Sequence, residues 1–288
     1  LQCWMGYIDA GVHDMGIYTV DSVEWGGTPD TITVKAKSAD MKGSLKSGRT
    51  QSYHDKKLGE IAKEVATRHE LELAMTDYLM SIEVGHIDQT DESDLHLLTR
   101  LCWQFGAVVN VKHGKLLIFQ PYENKTVSGQ PLTLTVLKRD KGDQFRFSIE
   151  DRQGEVDNVQ ATYHDAKKAK KVTVNTDKDG QKPKRLKGNF KDEKTATAAA
   201  NAEKKRIEGE QGKFSINCAF GYPAISTESP IELQGFKAEI DSLKWTVDKA
   251  THSYSKSQGL TTQLDLTAPI NGEFGAKPVD KKDSKADI

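Results

Sequence analysis

The stretch between Thr90 and Gln120 constrains the fold more than any other, because it predicts a helix followed at once by a hairpin. Thr90 or Asp91 can accept hydrogen bonds from the first free backbone amides of a helix. Gly106 stands where a residue with a left-handed backbone would end that helix. Between these positions an apolar stripe recurs at three- and four-residue spacing, made of Leu95, Leu98, Leu101, Cys102 and Phe105. The sequence therefore predicts one helix with a single buried face.

Two short β-prone runs follow this helix, at residues 107–111 and 115–120, and His113 with Gly114 supplies the turn between them. A second helix is predicted upstream, from about residue 55 to residue 69. Its apolar face consists of Leu58, Ile61, Ala62, Val65 and Ala66. We therefore expect residues 51–122 to form a small α/β domain of two helices and a hairpin.

The beginning of the chain has the period-two pattern of antiparallel strands. Between residues 16 and 39, Ile32, Val34 and Ala36 alternate with polar residues, and glycine and proline at residues 26–30 predict a turn. The alternation indicates one buried face and one solvent-facing face. Because the chain turns polar from residue 41 to residue 52, we expect residues 1–50 to be a separate β-rich unit.

Beyond residue 122 the pattern is again mainly β. Period-two rows predict strands around residues 132–137, 145–150, 159–163, 214–218, 243–247 and 260–266. In the first of them the apolar row is Leu132, Leu134 and Val136. One helix is predicted at residues 193–209, with Ala196, Ala199, Ala200 and Ile207 available for packing. We expect residues 123–270 to form a β-domain with one helix, and residues 271–288 to form a disordered tail because they have nothing to bury.

Composition excludes several classes of protein. The 288 residues carry 41 basic and 42 acidic side chains, and the net charge of −1 gives no global field that favours nucleic acid or anionic lipid. No apolar run approaches the ~20 residues of a membrane span, and the first residues lack the pattern of a signal peptide. Because Leu1 stands in place of a methionine, we expect a fragment or a processed chain.

The cysteines Cys3, Cys102 and Cys218 are odd in number and far apart. This spacing argues against a disulfide framework and against a zinc site. We expect reduced thiols, with Cys102 packed on the helix stripe as a small apolar residue.

The sequence offers no catalytic constellation, no cofactor motif and no metal-ligand motif. The start of a zinc motif at His69 is not completed, because Leu73 occupies the place of the second ligand. His252 and Ser253 are neighbours in sequence, whereas a nucleophile and its base meet in space. The acidic cluster at the predicted helix start fits dipole and capping roles better than a cation site or an acid–base pair; it consists of Asp91, Glu92 and Asp94.

A basic segment with few apolar residues lies between residues 165 and 194. Its candidate contact residues are Lys167, Lys168, Lys170, Lys171, Lys184 and Arg185, with Lys182 and Lys187 nearby. A solvated hairpin or loop is the simpler interpretation, because Val172 and Val174 alternate with polar residues and no aromatic side chains are interleaved for base stacking. The alternatives are a transient contact with DNA or a contact with an acidic neighbouring protein.

Three blocks of the sequence match a known pattern in the same order over most of the chain. The most specific block contains Gln89, Glu92, Ser93, Asp94, Leu98, Arg100 and Leu101. The others are residues 53–71 and residues 244–266, the latter with Trp245, His252, Gly259 and Thr262 at matching places. On these blocks the chain resembles the late control protein D family of contractile-tailed bacteriophages.

The resemblance implies an α+β, mainly β fold. Two tail-tube-like antiparallel β-barrel or sandwich domains are expected, at residues 1–50 and 123–270, with the small α/β domain between them. Because family members have a substantial segment before the equivalent of Leu1, the first of these domains is expected to be incomplete at its N-terminal end.

The resemblance also implies a function, which is that of a non-enzymatic baseplate hub. The hub of myophage tails and the hub part of the VgrG spike proteins of type VI secretion are similar in fold. Family members resemble homotrimers that form a pseudo-sixfold ring between the tail tube and the central spike. The implied partners are further copies of the chain, the tail tube protein, the central spike protein and other baseplate proteins. The implied location is the virion, after synthesis in the bacterial host cytoplasm.

Two other functions stand as alternatives to a hub of a phage, a prophage or a related injection machine. A cell-wall-acting tail enzyme would fit a tail tip that meets peptidoglycan, but the sequence lacks a catalytic carboxylate signature. A nucleic-acid-binding regulator would fit the words "late control", but a net charge near zero opposes it.

Overall fold

The computed structural model describes residues 1–38, 43–112, 114–140, 143–149, 156–165, 169–177, 179–187, 190–209 and 211–270. The protein is mainly β, with 50% of its residues in strands and 20% in helices, and its largest sheet curls into a half-barrel. The predicted fold class is confirmed at this level. The predicted disordered tail, residues 271–288, lies outside the described residues.

The first sheet is an antiparallel meander. Its strands, in spatial order, are β1 (Gln2–Tyr7), β2 (Gly11–Gly26) and β3 (Thr31–Ser38). The predicted strand pair and its turn are confirmed as the β2–β3 hairpin. The predicted burial is wrong, because Ile32 and Val34 are exposed. Alternation distinguishes two faces of a strand, but it does not say whether the same chain covers the apolar one.

The middle of the chain contains two longer helices and several short strands. The elements are a one-turn 3-10 helix (Gly43–Lys46), β4 (Gly48–Tyr53), β5 (Lys56–Lys57), α1 (Leu58–Arg68), β6 (Glu72–Met75), α2 (Asp77–Met80), β7 (Glu83–Val84), β8 (Ile87–Ser93), α3 (Asp94–Gln104), β9 (Val108–Lys112) and β10 (Lys115–Phe119). β10 lies between β6 and β9, while β4 pairs with β8 and β5 with β7. One hydrophobic core that runs from Leu45 to Ile118 unites them.

Both predicted helices are present, and all five apolar residues predicted for α1 are buried. The helices begin later than predicted because strands occupy their expected first turns. β8 continues to Ser93, and the Ser93 hydroxyl accepts a hydrogen bond from the His96 amide at 3.2 Å, so Ser93 caps α3 rather than Thr90 or Asp91. The buried face of α3 also includes Leu97, which the predicted stripe omitted.

The predicted helix stop and hairpin are confirmed. Gly106 has φ 65° directly after α3, and Gly114 has φ 73° in the turn between β9 and β10. His113 lies outside the described residues. The pattern missed that β10 also pairs, in parallel, with β6.

The last part of the chain contains two sheets. The six-stranded sheet has the order β11 (Thr135–Lys138), β17 (Pro230–Gln234), β18 (Trp245–Ser255), β19 (Gly259–Ala268), β16 (Gly212–Cys218), β12 (Gln144–Ile149). The three-stranded sheet has the order β14 (Lys170–Asn175), β13 (Asn158–Asp165), β15 (Pro183–Arg185). The helix α4 (Glu193–Gly209) packs on the three-stranded sheet β14–β13–β15. The short helix α5 (Ala238–Asp241) packs on the six-stranded sheet.

Most predictions for this part are confirmed. α4 has the predicted bounds and buries the four residues predicted to pack. The prediction of which face of β11 is buried is wrong, however, because Leu137 is buried and Val136 is exposed. β11 pairs in parallel with β17, which was not predicted, and Leu137 lies opposite the buried Leu233.

Candidate interaction surfaces

The most prominent surface is an apolar face on the outer half of the β2–β3 hairpin. We call it the hairpin face. It consists of Val20, Val23, Trp25, Ile32 and Val34, which are 42%, 62%, 78%, 71% and 46% exposed. Trp25 lies opposite Ile32, and Val23 lies opposite Val34, so the side chains share one side of the two-stranded ribbon. Contiguous exposed apolar patches of this kind mark interaction sites in soluble proteins.

The other side of the hairpin is polar. The Lys35 ammonium lies 3.0 Å from Glu24 Oε1, and Lys37 pairs with Asp21. These ion pairs are exposed and each contributes little to stability. They do keep one side of the hairpin hydrated, so only the hairpin face is suited to burial.

Tyr7, the last residue of strand β1, joins the first sheet to the six-stranded sheet. The Tyr7 hydroxyl donates a hydrogen bond to the Gly221 carbonyl oxygen at 3.1 Å and accepts one from the Gly221 amide at 2.9 Å. The Tyr7 ring stacks on Phe220 with the ring centres 4.5 Å apart. Gly221 is required there because a Cβ atom would lie 2.4 Å from Leu260 Cγ. Sequence reasoning missed this junction, since it joins residues 214 positions apart.

A cleft of about 810 Å³ lies beside this junction. Its lining includes Met5 and Ala36 from the first sheet and Ile225 and His252 from the last part of the chain. At this cleft the apolar side of the first sheet therefore faces residues from the last part of the chain. Farther along the hairpin the same side is exposed and forms the hairpin face.

The six-stranded sheet ends at an open edge, β12. Phe145, Phe147 and Ile149 alternate along this strand, and Phe145 stacks on Phe214 of the core with centroids 5.7 Å apart. Phe145 and Ile149 nevertheless remain 39% exposed. The core of the half-barrel is thus not closed off along β12 within the described residues.

A buried polar cluster joins the two longer helices. One Asp94 carboxylate oxygen lies 2.7 Å from Arg68 Nη1 and 2.8 Å from His69 Nε2, and the other accepts a hydrogen bond from the Gln89 amide at 2.9 Å. Burial alone would raise the pKa of Asp94, but the hydrogen bonds from Gln89, Arg68 and His69 outweigh it and lower that pKa. Asp94 is therefore held as a carboxylate.

The rest of the predicted acidic cluster is arranged around the start of α3, as a structural role requires. Glu92 binds the Arg100 guanidinium through both carboxylate oxygens, at 2.9 and 2.7 Å. Asp91 is exposed and has φ 47°. The three carboxylates do not converge on one point, and no group of ligands that would suit a metal ion occurs among the described residues.

The remaining chemical candidates are engaged in packing. One ring nitrogen of His252 lies 2.9 Å from the Thr262 hydroxyl and the other 3.1 Å from the Ile225 carbonyl, while burial lowers the pKa of His252. Cys102 lies in the core, as predicted, where burial raises its pKa to about 12. Among the described residues, no helix is long and apolar enough to cross a membrane.

The structure separates the candidate residues of the basic segment. Lys171 and Arg185 lie on the outer face of their sheet, opposite His164 and Gln160, and the Arg185 guanidinium donates to the Gln160 side chain at 3.1 Å. Lys170 and Lys184 lie on the face toward α4, where Lys184 pairs with Glu203 at 2.6 Å. Lys167 and Lys168 lie outside the described residues. A contact made by this segment remains a prediction.

Comparison with known proteins covers nearly the whole chain. Residues 3–258 match the family described as "Phage tail baseplate hub (GPD)". The chain is 32% identical to the "Probable baseplate hub protein" of Escherichia phage 186, over 98% of this chain and 82% of that protein. It is 34% identical to the protein of the same description from Escherichia phage P2, over 94% of this chain and 80% of that protein.

Solved structures share the fold. A tail protein from Neisseria meningitidis MC58 aligns with a TM-score of 0.63 at 14% identity, over 89% of this chain and 82% of that one. The 43 kDa tail protein of prophage MuSo2 from Shewanella oneidensis aligns with a TM-score of 0.59 at 17% identity, over 86% of this chain and 76% of that one.

These relatives confirm the resemblance that the three sequence blocks predicted. The function is that of a baseplate hub in a contractile phage tail of the P2 type, and its location is the tail baseplate of the virion. The chain belongs to the phage tail baseplate hub family.

Proposed function

We propose that the chain works as a homotrimeric ring that joins the tail tube to the central spike, and that it does so without enzymatic activity. Its partners would be two further copies of itself, the tail tube protein, the spike protein and other baseplate proteins. In this proposal residues 1–50 and 123–270 supply the β-domains of the ring, and residues 51–122 decorate it.

The observation that carries the proposal is the hairpin face. Five large apolar side chains on one side of a hairpin are costly to leave in water, at roughly 25 cal/mol per Å² of apolar surface. The β12 edge of the half-barrel, which has no outer strand among the described residues, adds a second incompletely covered surface on the same chain. Two such surfaces suit a subunit that completes its fold only in an assembly.

The described parts of the chain also support a structural role. The polar groups with shifted pKa values, such as Asp94, Glu92 and His252, are hydrogen-bonded to neighbouring protein groups. A catalytic pair would need a free nucleophile or base that a substrate can reach.

The test is the mass of the purified protein in solution, measured by light scattering coupled to size-exclusion chromatography, with and without the spike protein. The proposal expects a trimer alone, or a trimer that forms with the spike. A monomer under both conditions would overturn the ring.

Two assays address the alternatives. A cell-wall enzyme would clear a suspension of purified peptidoglycan, and the proposal expects no clearing. A nucleic-acid-binding regulator would bind duplex DNA with a steep dependence on salt concentration. The proposal expects at most weak binding, for which Lys171 on the outer face of its sheet would be a contact residue.

A further inference from the structure

We infer that a trough beside helix α4 binds an acidic, apolar segment of a baseplate protein other than the hub, the tail tube protein and the spike protein. The trough is open to solvent and has a volume of about 750 Å³. It is lined by Thr197 and Asn201 of α4, by Tyr78 of α2 and by Gln120, which follows β10. We call it the α4 trough. The inference rests on the proposed function and names a surface for the partners that the proposal gives only as other baseplate proteins.

The two sides of the α4 trough are held in place by close contacts. Gly106, which follows α3, lies so near α4 that a Cβ atom on it would stand 2.7 Å from Ala202 Cβ. The Arg206 guanidinium of α4 stacks over the Trp103 ring of α3, with its central carbon 4.7 Å from the ring centre. These contacts fix α4 against the end of α3. The trough is therefore formed before a partner arrives, as binding sites usually are.

Large apolar side chains are exposed along the α4 trough. Trp103 is 55% exposed and Tyr78 is 50% exposed. At one end the trough continues into a small pocket of about 40 Å³, which Trp103 lines together with Val108 and Tyr122, and Ala202 lines both spaces. Tryptophan, tyrosine and arginine are the residue types that contribute most to binding at protein interfaces. The small pocket is suited to one apolar side chain of a partner, and the exposed rings are suited to its neighbours.

The charges of the α4 trough indicate the chemistry of the partner. The cations along the trough and its pocket are Lys194, Lys205 and Arg206. Glu123, 3.8 Å from Lys205, is the one carboxylate among the described residues that line them, and Lys194 has no ion pair in the part of the chain that the structure describes. Because a helix rises about 1.5 Å per residue, Lys194 and Lys205 stand about 16 Å apart along α4. A segment with apolar side chains between two carboxylates is complementary to this surface.

Other occupants fit the α4 trough less well. A segment before Leu1 would start at a different cleft, because Leu1 lies with Ile225 and His252 in the cleft beside the Tyr7 junction. In the proposed ring, further copies, the tail tube protein and the spike protein meet the β-domains. The trough instead lies where α4 meets residues 51–122, the region that decorates the ring in that proposal. This position favours a baseplate protein that binds the ring from outside.

The first test asks whether assembly covers the α4 trough. In a Cys3→Ser background, Asn201→Cys places a thiol in the trough, and Lys204→Cys places one on another side of the same helix. The purified protein and complete baseplates are treated with a maleimide reagent, and labelling is followed by mass spectrometry. Asn201→Cys should react about tenfold more slowly, or less, in baseplates, because a covered thiol is not accessible to the reagent. Lys204→Cys should react equally in both.

Two results of this labelling would overturn the inference. Equal rates for Asn201→Cys in the two states would show that nothing covers the trough. Slow labelling of Asn201→Cys in the purified protein as well would show that the chain, including residues 271–288, or a further copy covers it.

The second test separates the α4 trough from the ring. Trp103→Ala removes an exposed ring, Lys194→Glu reverses a charge in the trough, and Lys204→Glu is the matched control. Each variant is shown to be folded by circular dichroism and is then produced with the remaining tail proteins. The two trough variants should keep the trimer and the spike but lower the amount of another baseplate protein per particle by about tenfold or more. An unchanged composition would refute the inference, whereas a wild-type monomer with and without the spike would refute the ring.

The third test identifies the occupant. A photo-reactive benzophenone amino acid in place of Asn201 is cross-linked in complete baseplates, and the attached peptide is sequenced by mass spectrometry. The inference expects a peptide of another baseplate protein in which carboxylates flank apolar residues. A cross-link to a further copy of the chain, to the tail tube protein or to the spike protein would show that the assigned partner is wrong.

Discussion

Arg68, the last residue of α1, and Asp94, the first residue of α3, form an ion pair of 2.7 Å that joins the two helices of the middle region. His69 contacts the same carboxylate oxygen, and Gln89 binds the other. Asp94, which belongs to the acidic cluster predicted at a helix start, thus connects the C-terminal end of α1 to the N-terminal end of α3.

Replacing Asp94 should weaken the middle region strongly. Asp94→Asn leaves the Arg68 charge partly buried without its counter-ion, so the free energy of unfolding should fall by about 3 kcal/mol. Asp91→Asn is the matched control, because Asp91 is exposed and asparagine tolerates its positive φ; it should change stability by less than about 0.5 kcal/mol. Urea denaturation followed by fluorescence measures both. Equal effects would contradict the role assigned to the buried pair.

The same pair makes stability depend on pH. The pKa of Asp94 in the folded protein is below its ordinary value of 3.8. A group whose pKa is lowered by folding contributes stability that is present above the unfolded pKa and is lost as pH falls through the folded pKa. The difference in stability between wild type and Asp94→Asn should therefore shrink as the pH falls below about 4. Urea midpoints from pH 7 to pH 3 give this difference, and a pH-independent gap would show that the charge is not responsible.

The Tyr7 hydroxyl should hold the first sheet to the last part of the chain. Tyr7→Phe keeps the stack on Phe220 but leaves the amide and carbonyl groups of Gly221 without this partner, at a cost of about 1 kcal/mol. Hydrogen exchange of the Gly221 amide should become faster. Tyr18→Phe is the control, since among the described residues the Tyr18 hydroxyl donates its hydrogen bond to the nearby Met15 carbonyl; it should leave exchange at Gly221 unchanged.

The cysteines should differ in reactivity. Burial raises the pKa of Cys102 and of Cys218 to about 12, and Cys3 is the half-buried one. Since the thiolate is the reactive form, a disulfide reagent at pH 8 should modify one thiol per folded chain, and none in Cys3→Ser. All remaining thiols should react once urea unfolds the protein. Rapid modification of Cys102 in the folded chain would contradict its place in the core.

The two faces of the basic segment can be tested apart. Lys184→Met removes an ion pair with the buried Glu203 and should lower stability by about 1 kcal/mol, with no change in DNA binding. Lys171→Met should leave stability unchanged and reduce any salt-dependent binding to DNA. Thermal unfolding and fluorescence anisotropy with labelled duplex DNA provide the two readouts. Unaltered binding in Lys171→Met would remove this lysine as a contact.

Local patterns predicted those elements whose information lies within a short segment. α4 was predicted to its end residues because alanine-rich helix formers and a following glycine region act locally. The turn at Gly114 was equally local. The start of α3 was misplaced because Ser93 and Thr90 are both good caps, and only the pairing of β8 with β4 decides between them.

Local patterns could not predict contacts between segments that are distant in the sequence. The parallel pairing of β11 with β17 turns Leu137 inward, and nothing in the sequence near Leu137 announces it. The Tyr7–Gly221 junction is of the same kind. The exposure of Ile32 and Val34 is a further case, because alternation shows that a face is apolar without showing what covers it. Family membership, in contrast, was evident from three sequence blocks, since it depends on residue identity.

The β12 edge, which has no outer strand in the part of the chain that the structure describes, also affects how the free chain behaves before assembly. An exposed sheet edge can pair with a strand of any nearby chain, and contacts that do not close into a ring produce open filaments. The concentration of unassembled chain in the host must therefore stay low, or the edge must be occupied soon after synthesis. Overproduction without the rest of the baseplate should fill the cell with insoluble protein even though each chain is correctly folded.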